Sequence, residues 1–165
     1  MASEIFIDAA LFMGMHSQDD DVRRACKGFF ARHLADERVV LNQEQVGKCD
    51  ALVWLYGREE QDAYYPFMDV LHTDMKIQRI GYEERDLRTA LENESLAGLP
   101  LHERLLVAMA INRDATVVTA GPRLRDREDL PVSFVEPVDG EPEFPEYLER
   151  LYEPSLKLRV NPQDL

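Results

Sequence analysis

The apolar positions of this chain fall into short alternating blocks of strand and helix type. Ile5, Phe6 and Ile7 make an apolar run of β type within Glu4–Ile7, closed at once by Asp8, and a helix carrying Ala9–Met15 follows. Beyond the acidic patch Asp19–Asp21, the residues Val22, Ala25, Cys26, Phe29, Phe30 and Leu34 recur at helical spacing. Val39, Val40 and Leu41 read as a second buried strand. Asn42 caps the next helix with Gln45 as its capping-box partner, and that helix runs from Gln43 to Tyr56 with Trp54 in the core. Asp62–Leu71, aromatic-rich around Pro66, predicts a loop and then a short helix. Lys76–Ile80 reads as a third strand, and Glu83–Glu94 as a helix with Leu87, Ala90 and Leu91 on one face. After the break at Gly98, Leu99 and Pro100, the segment Leu101–Asn112 is apolar almost all round, as in a buried helix. Ala115–Thr119 reads as a parallel-type strand and Pro131–Val135 as an edge strand. This alternation predicts an α/β sheet with helices on both faces. The stretch after Val135 is richer in Pro and Glu, with a short helical piece near Phe144–Leu151.

Composition narrows the classes. A chain of 165 residues that is 45% hydrophobic suits one domain with a full core. The net charge of −13, from 32 acids against 19 Lys and Arg, lacks the overall basic balance common in nucleic-acid binders. It favours a protein partner, a metal or a small cationic ligand, although local fields outweigh the total. Cys26 and Cys49 are far apart with no Cys/His cluster around them, so they read as buried free thiols and not as zinc ligands. Ile5–Ile7 is too short for a secretory core, and no apolar stretch approaches the roughly 20 residues that span a bilayer. The expectation is a cytoplasmic protein without a membrane partner. No Gly-rich phosphate loop, Ser–His–Asp or Cys–His arrangement stands out.

The candidate chemistry is carboxylate chemistry. Ligands of open parallel sheets bind at the carboxyl ends of the strands. Asp8 follows the first strand, Glu44 the second, Glu103 opens the buried helix, and Thr119-Ala120-Gly121 closes the fourth strand. Three carboxylates distant in sequence are thus expected at one crevice. Grouped carboxylates raise one another's pKa or hold a cation. Mg²⁺ or Mn²⁺ suits oxygen ligands and activates water toward a phosphodiester. Each acid also has a plainer role: Asp8 as a helix N-cap, Glu44 and Glu103 as first-turn acids favoured by the helix dipole. Arg123, Arg125 and Arg127 alternate after the fourth strand, either meeting phosphates at the crevice rim or, diluted by Asp126, Glu128 and Asp129, forming a solvated loop. Tyr64, Tyr65 and Phe67 offer either base stacking or packing against a neighbouring helix or a second subunit.

Ile5-Phe6-Ile7-Asp8-Ala9 resembles the opening strand and first acid of PIN-domain ribonucleases. Val39–Glu44 is similar to their second strand and second acid. Glu103–Gly121 resembles the family's acid, alanine-rich helix, turn, hydrophobic strand and closing Thr, with Ala108 and Ala110 as the small residues and Thr119 at the strand end. The resemblance covers roughly residues 4–135. It implies a PIN-like three-layer α/β/α sandwich with a central, mostly parallel sheet in residues 1–136, and a C-terminal extension, 137–165, packing on the domain or on a partner. It further implies a divergent Mg²⁺/Mn²⁺-dependent ribonuclease with Asp8, Glu44 and Glu103 as metal ligands and catalytic residues, and with Thr119, Arg123 and Arg125 touching RNA. Two departures stand against that. The third acid is Glu where the family usually has Asp, and Gly121, followed by Pro122, stands where a fourth Asp or Asn is common. The alternative is a degenerate PIN-like domain serving as a protein-binding or accessory subunit, a homodimer included.

Overall fold

The computed structural model describes residues 3–165. Five short strands, β1 (Ile5–Ile7), β2 (Val39–Asn42), β3 (Gln78–Ile80), β4 (Thr116–Thr119) and β5 (Val132–Phe134), form one sheet in the order β3-β2-β1-β4-β5. Every pairing is parallel. The central strands carry Phe6, Ile7, Val39, Val40, Leu41 and Val117, all buried, as expected where helices cover both faces. The helices are α1 (Ala9–Gly14), α2 (Asp20–Arg32), α3 (Gln43–Val53), α4 (Arg58–Met75), α5 (Glu84–Glu92), α6 (Leu101–Asn112) and α7 (Glu146–Ser155). The fold is therefore an α/β arrangement with helices on both faces of a sheet that is wholly parallel among the described strands. Among the described residues no helix is long and apolar enough to cross a membrane.

Apolar side chains divide between the faces. Leu106, Met109, Ala110 and Ala115 back one side of Phe6, Val40 and Val117. Ile7, Val39 and Leu41 face the larger cluster with α1, α2, α4 and α7. α1 and α2 approach closely: a Cβ built on Gly14 would lie 2.4 Å from the Cys26 Sγ, so only glycine fits there. Both cysteines are free and buried.

Three expectations are corrected. The aromatic segment is not a loop with a short helix but part of the continuous helix α4, with Pro66 inside it. Tyr64, Phe67, Leu71 and Met75 recur on its buried face, and Phe67 meets the Tyr152 ring of α7 edge-on at 5.2 Å. That packing outweighs the roughly 3 kcal/mol that an interior proline costs a helix. Pro66→Ala is accordingly expected to raise stability by about 1–2 kcal/mol in urea denaturation, since alanine restores the missing N–H donor. Trp54, expected in the core, caps the C-terminus of α3 and is 72% exposed. The helix turns Gln45, Cys49 and Val53 inward at four-residue spacing, which carries position 54 off that face. Asn42 does cap α3, accepting from the Gln45 N–H at 2.7 Å, but the Gln45 side chain does not return to close a capping box.

The C-terminal segment completes the core. Phe144, Leu148, Tyr152, Leu158 and Val160 are all buried in the main cluster. Lys27 of α2, only 2% exposed, is held by Glu149 at 2.7 Å and Glu141 at 3.1 Å, with its ammonium 4.5 Å from the Tyr152 ring centroid. Arg23 pairs with both Glu141 oxygens at 2.7 and 2.8 Å. These contacts, the Arg23 hydrogen bonds foremost, pull the Glu141 carboxyl down to about 2.

Candidate functional site: an acidic crevice closed by an arginine

Parallel register brings two of the expected residues together. Ile7 lies opposite Val118, so the residues that follow, Asp8 and Thr119, leave the sheet side by side at its carboxyl edge. The chain builds outward from β1 through β2 to β3, then returns to lay β4 on the other flank of β1. The connections diverge between β1 and β4, the place where such sheets open a crevice.

Asp8 is 5% exposed. Its Oδ1 caps α1 by accepting from the Leu11 N–H at 2.8 Å, and its Oδ2 accepts from the Thr119 hydroxyl. Thr119 Oγ1 in turn accepts from the Gly121 N–H at 2.8 Å. Burial pushes the Asp8 carboxyl up to about 6; the Thr119 and Leu11 hydrogen bonds oppose the rise, and the nearby Glu103 charge adds to it.

Glu103, equally buried, stands in the first turn of α6. The short 3-10 turn Pro122–Leu124, directly after β4, delivers Arg123 to it. Arg123 Nε donates to the two Glu103 oxygens at 3.0 and 3.1 Å, and Nη2 donates to Oε1 at 2.6 Å. This is the fork-on-carboxylate geometry that arginine is shaped for. The Glu103 hydrogen bond raises the Arg123 pKa further, with burial opposing.

Glu44 is not gathered with these acids. It is exposed in the first turn of α3, at the crevice mouth. The inward residue of that turn is Gln45: its Oε1 accepts from the Ala9 N–H at 2.8 Å, and its Nε2 donates to the His102 carbonyl at 3.3 Å. Gln45 ties the starts of α1, α3 and α6 together, a role its cap-adjacent position alone does not announce. Thr119 is buried with its hydroxyl committed to Asp8 and Gly121. Arg125 lies 4.6 Å over the Phe134 ring and does not line the crevice. Asp126 is exposed in the following turn. His102 lines the crevice half-buried, its pKa lowered by burial first and then by Lys48.

The crevice holds about 820 Å³ and is open to solvent. Its lining joins Asp8, Glu44, Glu103 and Arg123 to an apolar strip formed by Ala51 and Leu52 of α3 and Leu55 of the turn after it. The donor set does not fit a divalent cation as arranged. Among the described residues no three His, Cys, Asp or Glu side chains are grouped to hold a metal ion. Both Asp8 oxygens already accept hydrogen bonds, and both Glu103 oxygens face Arg123. A hard cation needs several free oxygens converging on one point.

A solved structure described as "Crystal structure of VapBC2 from Rickettsia felis bound to a DNA fragment from their promoter" superposes with a TM-score of 0.54. The two are 14% identical, and the match covers 80% of this chain and 98% of that one. At such identity the likeness shows the fold alone. No protein with a curated description matches the sequence. The family model described as "Family of unknown function (DUF6190)" matches residues 1–165, and this PIN-like chain belongs to that family.

Proposed function

We propose that this chain is a PIN-like domain that no longer runs metal-dependent hydrolysis and serves as a binding or accessory subunit. One observation carries the reading: the guanidinium of Arg123 covers the Glu103 carboxylate, the acid expected to hold a metal and its activated water. Gly121, where a further acid is common in the resembled family, brings no side chain to compensate. A protein partner is favoured over RNA. The net charge is −13, and the crevice runs into apolar surface at Leu55, 77% exposed, beside Trp54. That same surface suits a second copy of the chain, which is the homodimer alternative.

A Mg²⁺- or Mn²⁺-dependent ribonuclease remains the second reading. It draws support from Asp8 and Glu103 lining one crevice at the strand ends. It requires Arg123 to leave Glu103 and Glu44 to turn inward. The test is cleavage of a mixed RNA pool in Mn²⁺, comparing wild type with Glu103→Gln. The expected outcome is no cleavage by wild type above that of the variant. Turnover that Glu103→Gln abolishes would establish the nuclease reading instead.

A further inference from the structure

We propose that residues 162–165 form a strap over part of the crevice, seating Leu165 in the lining it shares with the apolar strip, and that a ligand filling that part must swing the strap aside. The proposal goes beyond the function above, because it concerns access to the crevice whatever the crevice takes.

The chain reaches the crevice from a firm anchor. Val160 is fully buried; its N–H donates to the His16 carbonyl at 2.7 Å, and its own carbonyl accepts from the Gln18 N–H at 2.8 Å. Exposure changes abruptly after it, since Asn161, Pro162, Gln163 and Asp164 are all exposed. Pro162–Asp164 makes a single 3-10 turn, capped by the Asn161 side chain, which accepts from the Gln163 N–H at 3.0 Å. The backbone bonds of the turn are internal as well. The Asp164 N–H donates to the Asn161 carbonyl at 2.9 Å, and the Leu165 N–H to the Pro162 carbonyl at 3.3 Å. Among the described residues no hydrogen bond ties 162–165 to the body of the domain. The turn can therefore leave as a unit without breaking a bond of its own, and segments held in this way open at low cost.

Apolar contact is what keeps it in place. Gln163, Asp164 and Leu165 line the crevice together with Ala51, Leu52 and Leu55. Leu165 is half-buried against the main cluster, on which Leu52 and Tyr56 also pack. Asp164 lies close enough to Tyr56 to add to the rise that burial gives its hydroxyl pKa. One half-buried leucine is a weak clasp, worth roughly a factor of ten in an equilibrium. A site that is open about a tenth of the time binds its ligand about tenfold more weakly than the open form does.

The experiment compares wild type, a chain ending at Asn161, Leu165→Ser, and the shortened chain carrying Leu55→Ser. The probe is anilinonaphthalene sulfonate, read by energy transfer from Trp54, the sole tryptophan, which adjoins Leu55. Thermal melts report folding. The shortened chain and Leu165→Ser are expected to melt cooperatively and to bind the probe about tenfold more tightly than wild type. Leu55→Ser in the shortened chain is expected to remove that gain. Equal affinities in wild type and both variants overturn the proposal, as does a gain that survives Leu55→Ser. Loss of cooperative melting in the shortened chain overturns it too, since a strap with only internal hydrogen bonds is not needed for the fold. None of these outcomes bears on RNA cleavage, so the proposed function stands or falls separately.

Discussion

A chain cut after Glu136 is expected to lose cooperative folding altogether. The removed segment contributes Phe144, Leu148, Tyr152, Leu158 and Val160, all buried in the main cluster against α1, α2 and α4. At roughly 1.5–3 kcal/mol for each large apolar side chain buried, these five supply roughly 7–15 kcal/mol. That equals the whole net stability of an ordinary domain, about 5–15 kcal/mol. The cut also strips Arg23 and Lys27 of Glu141 and Glu149, and the turn at His16–Gln18 of its bridge to Val160. Residues 137–165 are on this account part of one folding unit with 1–136. The check is a urea titration followed by far-ultraviolet circular dichroism. A sigmoidal transition in residues 1–136, at a midpoint close to that of the full chain, would show the segment to be an appendage.

Asp8→Asn should make the protein more stable at pH 8 and nearly indifferent at pH 4. Burial raises the Asp8 carboxyl from 3.8 to about 6, so the folded state holds this proton more tightly than the unfolded state. Such a group contributes its full share below pH 3.8 and loses it as pH climbs through 6. At 1.36 kcal/mol per unit the ionised carboxylate costs about 3 kcal/mol above that window. Asparagine carries no charge, caps the helix as well as aspartate does, and has a similar shape. The Thr119 hydroxyl hydrogen loses its acceptor when an amide NH₂ replaces Oδ2, so the expected gain at pH 8 is about 2 kcal/mol. His16 acts in the opposite sense, since burial lowers its pKa from 6.5 to about 3 and stability falls as the pH drops from 6.5 toward 3. The difference between wild type and variant cancels His16 and isolates Asp8. Equal stabilities across pH 4–8 would mean that Asp8 is better solvated than its burial indicates.

The fold was readable because its strands are short, apolar and punctuated by polar residues with local jobs. Ile5–Ile7 ends on Asp8, which caps α1, and Val39–Leu41 ends on Asn42, which caps α3. The nearly all-apolar Leu101–Asn112 could only be an interior helix. Local pattern misled where tertiary packing decides. Pro66 reads as a break until Tyr152 and Phe144 stand beside Phe67 to hold the helix through it. Trp54 reads as core until the inward face of α3 is set by Gln45, Cys49 and Val53.

The site was legible in its positions but not in its pairing. Asp8 and Thr119 follow from strand ends and parallel register, and Glu103 from its place at the head of α6. Whether Glu44 or Gln45 points inward depends on a single step of helix phase, which the exposed Gln43–Glu44 start leaves open. Arg123 meets Glu103 across a turn whose direction is fixed by Pro122 and the packing of Leu124, not by the alternation of Arg123, Arg125 and Arg127. The charge census likewise hid the pair, because a surplus of acids says nothing about which one carries an arginine.

The most direct test of the account is the anomalous density of a wild-type crystal grown in millimolar Mn²⁺. The account expects Arg123 forked on Glu103 and no manganese peak between Asp8 and Glu103. A peak bonded to both carboxylates, with Arg123 swung away, would contradict it.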